Sequence, residues 1–166
     1  MNLDELMNNK QLKTKEKTEI LSRYILNREI KVGDIIDFAE TAKDPVKAAC
    51  IESLEYASEK EPAVINKACF AFAVKNLKAK APRIKWESAR IIGNTAYLFT
   101  DDLKDAIKNL LENTGHEGTV VRWSSAFALG EIIKLKTNYN KELTDEIKKI
   151  CVKEEKNSIK KYMPTQ

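Results

Sequence analysis

The chain has 166 residues, 43% hydrophobic and 33% charged, with a net charge of +4. That balance excludes a disordered chain and predicts one folded domain across 1–166. Five glycines and four prolines are too few for a loop-rich protein, so helices with short connections are expected. The apolar run 68–74 is far below the roughly 20 residues that cross a bilayer. The first residues lack the cationic and apolar regions of a secretory leader, and a cytoplasmic protein is expected.

Residues 1–31 read as an N-terminal capping segment whose helix runs over 14–27, with Ile20, Leu21, Tyr24 and Ile25 on one side. Paired helices follow at 34–43 with 45–58, 62–78 with 82–98, and 101–113 with 119–135. A last helix is expected over 142–154, and 156–166 reads as a tail. Asp44 is placed to cap the second helix of the first pair, with Pro45 at its first turn; Pro82 plays the same part later. Leu103, Ala106, Ile107, Leu110 and Leu111 form one helical stripe. Cys50, Cys69 and Cys151 fall among apolar helical positions without metal-type spacing, as buried reduced thiols would.

The second helices of the pairs repeat one another. Lys85-Trp86-Glu87-Ser88-Ala89-Arg90-Ile91-Ile92-Gly93 returns as Arg122-Trp123-Ser124-Ser125-Ala126-Phe127-Ala128-Leu129-Gly130. Both have a cation, then Trp, small residues, an aliphatic and a Gly. A degenerate copy starts at Lys47, with Cys50, Ile51 and Leu54 in register and Glu55 where the Gly should be. The first helices repeat too, Leu103–Leu111 matching Leu143–Cys151. A helical hairpin cannot bury its own apolar face alone, so such units are stable only when stacked.

The pattern Asp44-Pro45-Val46-Lys47, Ile84-Lys85 with Ser88, Ala89, Ile92 and Gly93, and Val121-Arg122 with Ser125, Ala126, Leu129 and Gly130 resembles the second helix of HEAT repeats over about 34–155. The resemblance implies an all-α, armadillo-like solenoid of three to four hairpins. It also implies that Lys47, Lys85 and Arg122 tie neighbouring repeats together. Members of that family are mostly scaffolds and binding platforms without chemistry of their own.

In this register the remaining positions of each inner helix lie on its other side. They are Ala48, Ala49, Glu52, Tyr56 and Glu59; Trp86, Glu87, Arg90, Asn94 and Tyr97; and Trp123, Ser124, Phe127, Glu131 and Lys134. Trp86 is expected beside Trp123 and Arg90 beside Phe127. Such residue types carry binding hot spots. The candidate partner-binding set is Tyr56, Trp86, Glu87, Arg90, Asn94, Trp123 and Phe127, for a protein or peptide partner. The competing reading is that both indoles plug the seam between repeats.

Catalytic constellations are sparse. The lone His116 lies in a Gly-flanked turn without the second ligand a metal site needs, so no metal or cofactor is expected. Asp101, Asp102 and Asp105 open a helix, where acids complement the dipole. Glu87 and Arg90 read as a surface pair along one helix. The positive charge is interrupted by acids, unlike a phosphate-tracking stripe. The alternative is a nucleic-acid-binding protein similar to the alkylpurine DNA glycosylases built from HEAT-like repeats. Those enzymes use a catalytic Asp in the groove, and the face predicted here carries only Glu52, Glu59, Glu87 and Glu131. A non-catalytic reading is therefore expected.

Overall fold

The computed structural model describes residues 2–163, and these form helices and no strand. Ten α-helices follow in order: α1 (Leu3–Asn8), α2 (Thr14–Leu26), α3 (Val32–Thr41), α4 (Asp44–Lys60), α5 (Lys67–Asn76), α6 (Pro82–Thr95), α7 (Leu103–Asn113), α8 (Thr119–Lys134), α9 (Asn140–Lys153) and α10 (Asn157–Lys160). The expected pairs are α3–α4, α5–α6 and α7–α8. The region 62–78 is not one helix, because Pro62 opens a short 3-10 turn and α5 starts after Asn66, whose side chain accepts from the Cys69 N–H. Asp44 is the first helical residue rather than the cap; the cap position is held by Lys43, without a side-chain bond.

Two layers result. The long helices α2, α4, α6 and α8 pack against one another in sequence, while α3, α5 and α7 touch more lightly behind them. The apolar stripe dictates this. Ile51, Leu54, Ile84, Ile91, Ile92 and Leu129 are buried between the layers with Leu103, Ala106 and Leu110 of α7. Helix α2 does more than cover the first hairpin: it holds the inner position of its own row against α4, with Leu21 and Ile25 buried. The short α1 is tied beneath it by Lys17 Nζ, which donates to the Met7 carbonyl at 2.6 Å.

The stretch expected to be a tail is structured as far as Met163. Helix α10 packs on α8, and Ile159 and Met163 are buried. Its apolar residues at i, i+3 and i+4 (Ile159, Tyr162, Met163) carried that information in the sequence. The expected tail residues 164–166 lie outside the described residues. Cys50 and Cys69 are buried, and burial pushes both thiols up to about 12; Cys151 is only partly covered, so it is not the core residue expected.

Candidate functional site

The cation of each repeat reaches across to a neighbouring element. Lys47 lies 3.6 Å from Glu40 of α3 and 5.5 Å from the centre of the Phe72 ring on α5. Lys85 donates to the Leu77 carbonyl and to Asn113 Oδ1 at the end of α7, both at 2.9 Å. Arg122 donates to Glu154 after α9 at 2.9 Å and to the carbonyls of His116 and Glu117. His116 sits half-buried in the turn with its Nδ1 accepting from the Gly118 N–H at 2.9 Å, which uses the ring locally. Among the described residues no group of His, Cys, Asp and Glu side chains has the arrangement of a metal site.

The opposite side of the inner row carries the seven candidates, and their positions differ. Tyr56 is exposed at 42%; Trp86, Arg90, Asn94, Trp123 and Phe127 are half-buried. Glu87 is buried at 5% exposure, and so are Ala49 and Ser124 at the equivalent positions of α4 and α8. The column two residues past the cation therefore faces the neighbouring helix rather than the surface. Glu52, Arg90, Tyr56 and Glu59 belong to the open stripe, with Tyr97 exposed at the end of α6.

Position by position, the eighth residue past the cation on one inner helix meets the fifth on the next. Gly93 lies under Phe127: an added Cβ would strike the ring, with Cδ1 at 2.9 Å, and approach the Ala128 Cα at 3.2 Å. Gly130 lies under the backbone of Tyr162, its carbonyl carbon 3.0 Å from where a Cβ would stand. In the first copy the same position is Glu55, and its neighbour on α6 is Arg90, Nη2 to Oε1 at 2.8 Å. The missing glycine of the repeat is thus replaced by half of an ion pair. The surface pair expected between Glu87 and Arg90 is not what forms; Arg90 turns to α4.

Around that pair the α4–α6 seam is polar. Glu52 contacts Arg83 and accepts from the Thr18 hydroxyl of α2 at 3.0 Å. Asn94 Nδ2 donates to Ser58 Oγ at 3.0 Å. Trp86 Nε1–H donates to Glu87 Oε1 at 2.8 Å. Glu55 is 3% exposed, and burial pushes its carboxyl up to about 7 although Arg90 opposes the shift. Burial also raises Glu87, against the Trp86 hydrogen bond. The Glu55–Arg90 contact is close but poorly angled, leaving Glu55 Oε1, Arg90 Nε and also Glu87 Oε2 without a hydrogen-bond partner.

The α8 end is aromatic. Trp123 and Phe127 lie nearly parallel, 12° apart with centres at 6.1 Å, and Tyr162 stands edge-on to both, at 5.3 Å and 6.0 Å. Trp123 packs on the core, so its neighbours are Phe127 and Tyr162 rather than Trp86 as expected. Sequence reasoning missed Tyr162 as part of this face. Clefts of about 490 and 630 Å³ lie between α5 and α7 and between α7 and α9, away from the aromatic stripe.

No family model matches the sequence, and no curated protein matches it. Among solved structures, the fold is similar to that of the designed armadillo repeat protein YIII(Dq.V1)4CPAF in complex with peptide (KR)4. The TM-score is 0.71 at 12% identity, over 97% of this chain and 77% of that one. At that identity the likeness concerns the fold alone. Its agreement with the stacked inner and outer helices makes this chain an armadillo/HEAT-like helical-repeat protein in its fold.

Proposed function

We propose that the protein is a non-catalytic scaffold that binds a protein or peptide along the inner-helix face. The observation that carries this reading is the aromatic stripe Tyr56, Trp86, Trp123 and Phe127, which crosses three adjacent inner helices with Tyr56 exposed and the other three only partly covered. Large aromatic rings placed beside an Arg and hydrogen-bonding side chains supply the contact area and orientation that a partner interface needs. Inner helices that pack more closely than outer ones bend such a stack toward the inner side, which favours a concave face there. The fold neighbour was solved with a peptide, in keeping with this use of the architecture.

Tyr56, Trp86 and Phe127 act as apolar anchors, Trp123 backs Phe127, and Arg90 and Asn94 orient the partner through whatever donor capacity their contacts to α4 leave. Glu87 acts from below, through Trp86, rather than by touching the partner. The nucleic-acid alternative is disfavoured because Arg83 and Arg90, the cations of α6 on this face, are both engaged by glutamates of α4. Phosphate binding depends on cations free to replace counterions.

The test compares partners captured by the wild-type chain and by Trp86→Ala in parallel, with circular dichroism as a fold control. Loss of a captured species on the Trp86 variant, restored by Trp86→Phe, is expected. Identical capture by all three would sink the assignment of this face. A salt titration with duplex DNA should show no binding even at low ionic strength.

A further inference from the structure

Beneath the exposed stripe sits a group of carboxylates larger than a stacking role requires. Glu52, Glu55 and Glu87 converge on the α4–α6 seam with two cations, Arg83 and Arg90; Glu59 of α4 adds further negative charge beside Glu55. From α2 the seam receives the neutral Thr18 hydroxyl. With the exposed Glu59 left aside, the three carboxylates of the seam against two guanidiniums leave it one negative charge in excess when all are ionised. A buried excess charge is costly, and the usual relief is to hold a proton.

The two most buried members each hold one residue of the candidate face. Glu87 accepts from the Trp86 indole N–H, and Glu55 faces the Arg90 guanidinium. The α6–α8 seam fills the Glu55 position with Gly93, which offers Phe127 no ionisable side chain. Arg90 and Trp86 are thus the part of the face whose supports are titratable.

We propose that Glu55 and Glu87 are positioning residues that set the presentation of Arg90 and Trp86 through a shared, proton-responsive seam. With both carboxylates ionised, Trp86 and Arg90 are drawn down onto them. When the seam takes up its proton, one of the two holds weakens, and the corresponding side chain is freer to meet a partner. The raised carboxyls agree with this, since burial shifts both upward, with Glu87 adding to the rise of Glu55, to about 7, and Glu52 adding to the rise of Glu87. The inference rests on Trp86 and Arg90 belonging to the recognition face, but the seam itself is testable without any partner.

The experiment is a pH titration of tryptophan emission on the full chain in a Trp123→Phe background, which leaves Trp86 as the reporter. A reversible change in Trp86 emission is expected above the ordinary carboxyl value of 4.5, because burial raises Glu87, while circular dichroism stays constant. Glu87→Gln should abolish it. Glu52→Gln should move its midpoint downward, because the Glu52 charge raises the Glu87 carboxyl, and Glu52→Asp should restore most of the original midpoint. His116→Gln, which removes the chain's single His, should leave the transition in place. A flat emission profile between pH 5 and pH 8.5 in the Trp123→Phe chain, or a transition that survives Glu87→Gln, overturns the proposal. Either result leaves the partner-capture test of Trp86 unaffected, so the two readings fail separately.

Discussion

The two seams flanking α6 solve the same packing problem with opposite chemistry. Between α6 and α8 a glycine clears room for an aromatic ring, and Phe127 settles directly over Gly93. Between α4 and α6 the equivalent positions are Glu55 and Arg90, a buried carboxyl and a half-buried guanidinium surrounded by Glu52, Glu87, Arg83, Ser58 and Asn94. The backbone arrangement is shared, so it is set by the small and aliphatic residues common to both copies. The side chains at the crossing point are free to differ. An apolar crossing gains from area removed from water and holds at any pH. An ionic one depends on the protonation state of its acid, and here burial makes the charged form of Glu55 the costlier one despite Arg90.

The largest effect expected from breaking this contrast is Arg90→Ala. It leaves Glu55 buried and unpaired; removing one member of a fully buried pair costs about 3–5 kcal/mol, and the half-buried Arg90 puts the loss at the lower end. The loss, read by urea denaturation, should be greatest at pH 8 and smaller near pH 5, where Glu55 holds a proton. Next is Gly93→Val, which drives a branched side chain into Phe127 and the Ala128 backbone; overpacking of this kind costs about 1–3 kcal/mol. That cost should be the same at both pH values. Equal pH dependence in the two variants would remove the distinction between the seams.

A smaller effect concerns the wild-type chain. Glu55 titrates at about 7 when folded and at the ordinary 4.5 when unfolded, so between those values the folded state binds more protons. Stability from this group is therefore full below pH 4.5 and falls as pH rises toward 7, by on the order of 1–3 kcal/mol. Glu55→Gln should flatten that decline in thermal melts across the window. Smallest of all is the swap Glu55→Gly with Arg90→Phe, which writes the α6–α8 solution into the α4–α6 seam. Replacing a buried ion pair by apolar packing is often neutral or stabilising, and about 1 kcal/mol of helix propensity is lost to the glycine. A net change within about 1 kcal/mol is expected, together with loss of the pH slope; a collapse of the fold would show that the two crossings are not interchangeable.

Much of the fold could be read from particular residues. The recurrence of Lys85–Gly93 at Arg122–Gly130 located two inner helices and their register, and Lys47 located a third although its copy is degenerate. The same register placed Tyr56, Trp86, Arg90, Asn94, Trp123 and Phe127 on the open stripe. It misplaced Glu87, because a helical wheel assigns an angle but not the position of the neighbouring helix that covers it. It also passed over Tyr162. Its spacing with Ile159 and Met163 was a signal of a docked helix, but a helix of one turn gives periodicity few positions to act on, and the space over Gly130 that receives it is visible only in the structure.

The sequence by itself determined the helical repeat, the order of inner and outer helices, and the small residues that permit close stacking, since all three follow from local periodicity and side-chain volume. The tertiary structure alone decided what meets across each crossing: that Glu55 takes the place of a glycine because Arg90 faces it, that Trp86 is held by a buried Glu87, and that Tyr162 closes the end of the row. The first and last join residues about 30 or more positions apart, and the second, though Trp86 and Glu87 are chain neighbours, depends on the packed helices that bury Glu87; chain neighbours carry no record of such contacts.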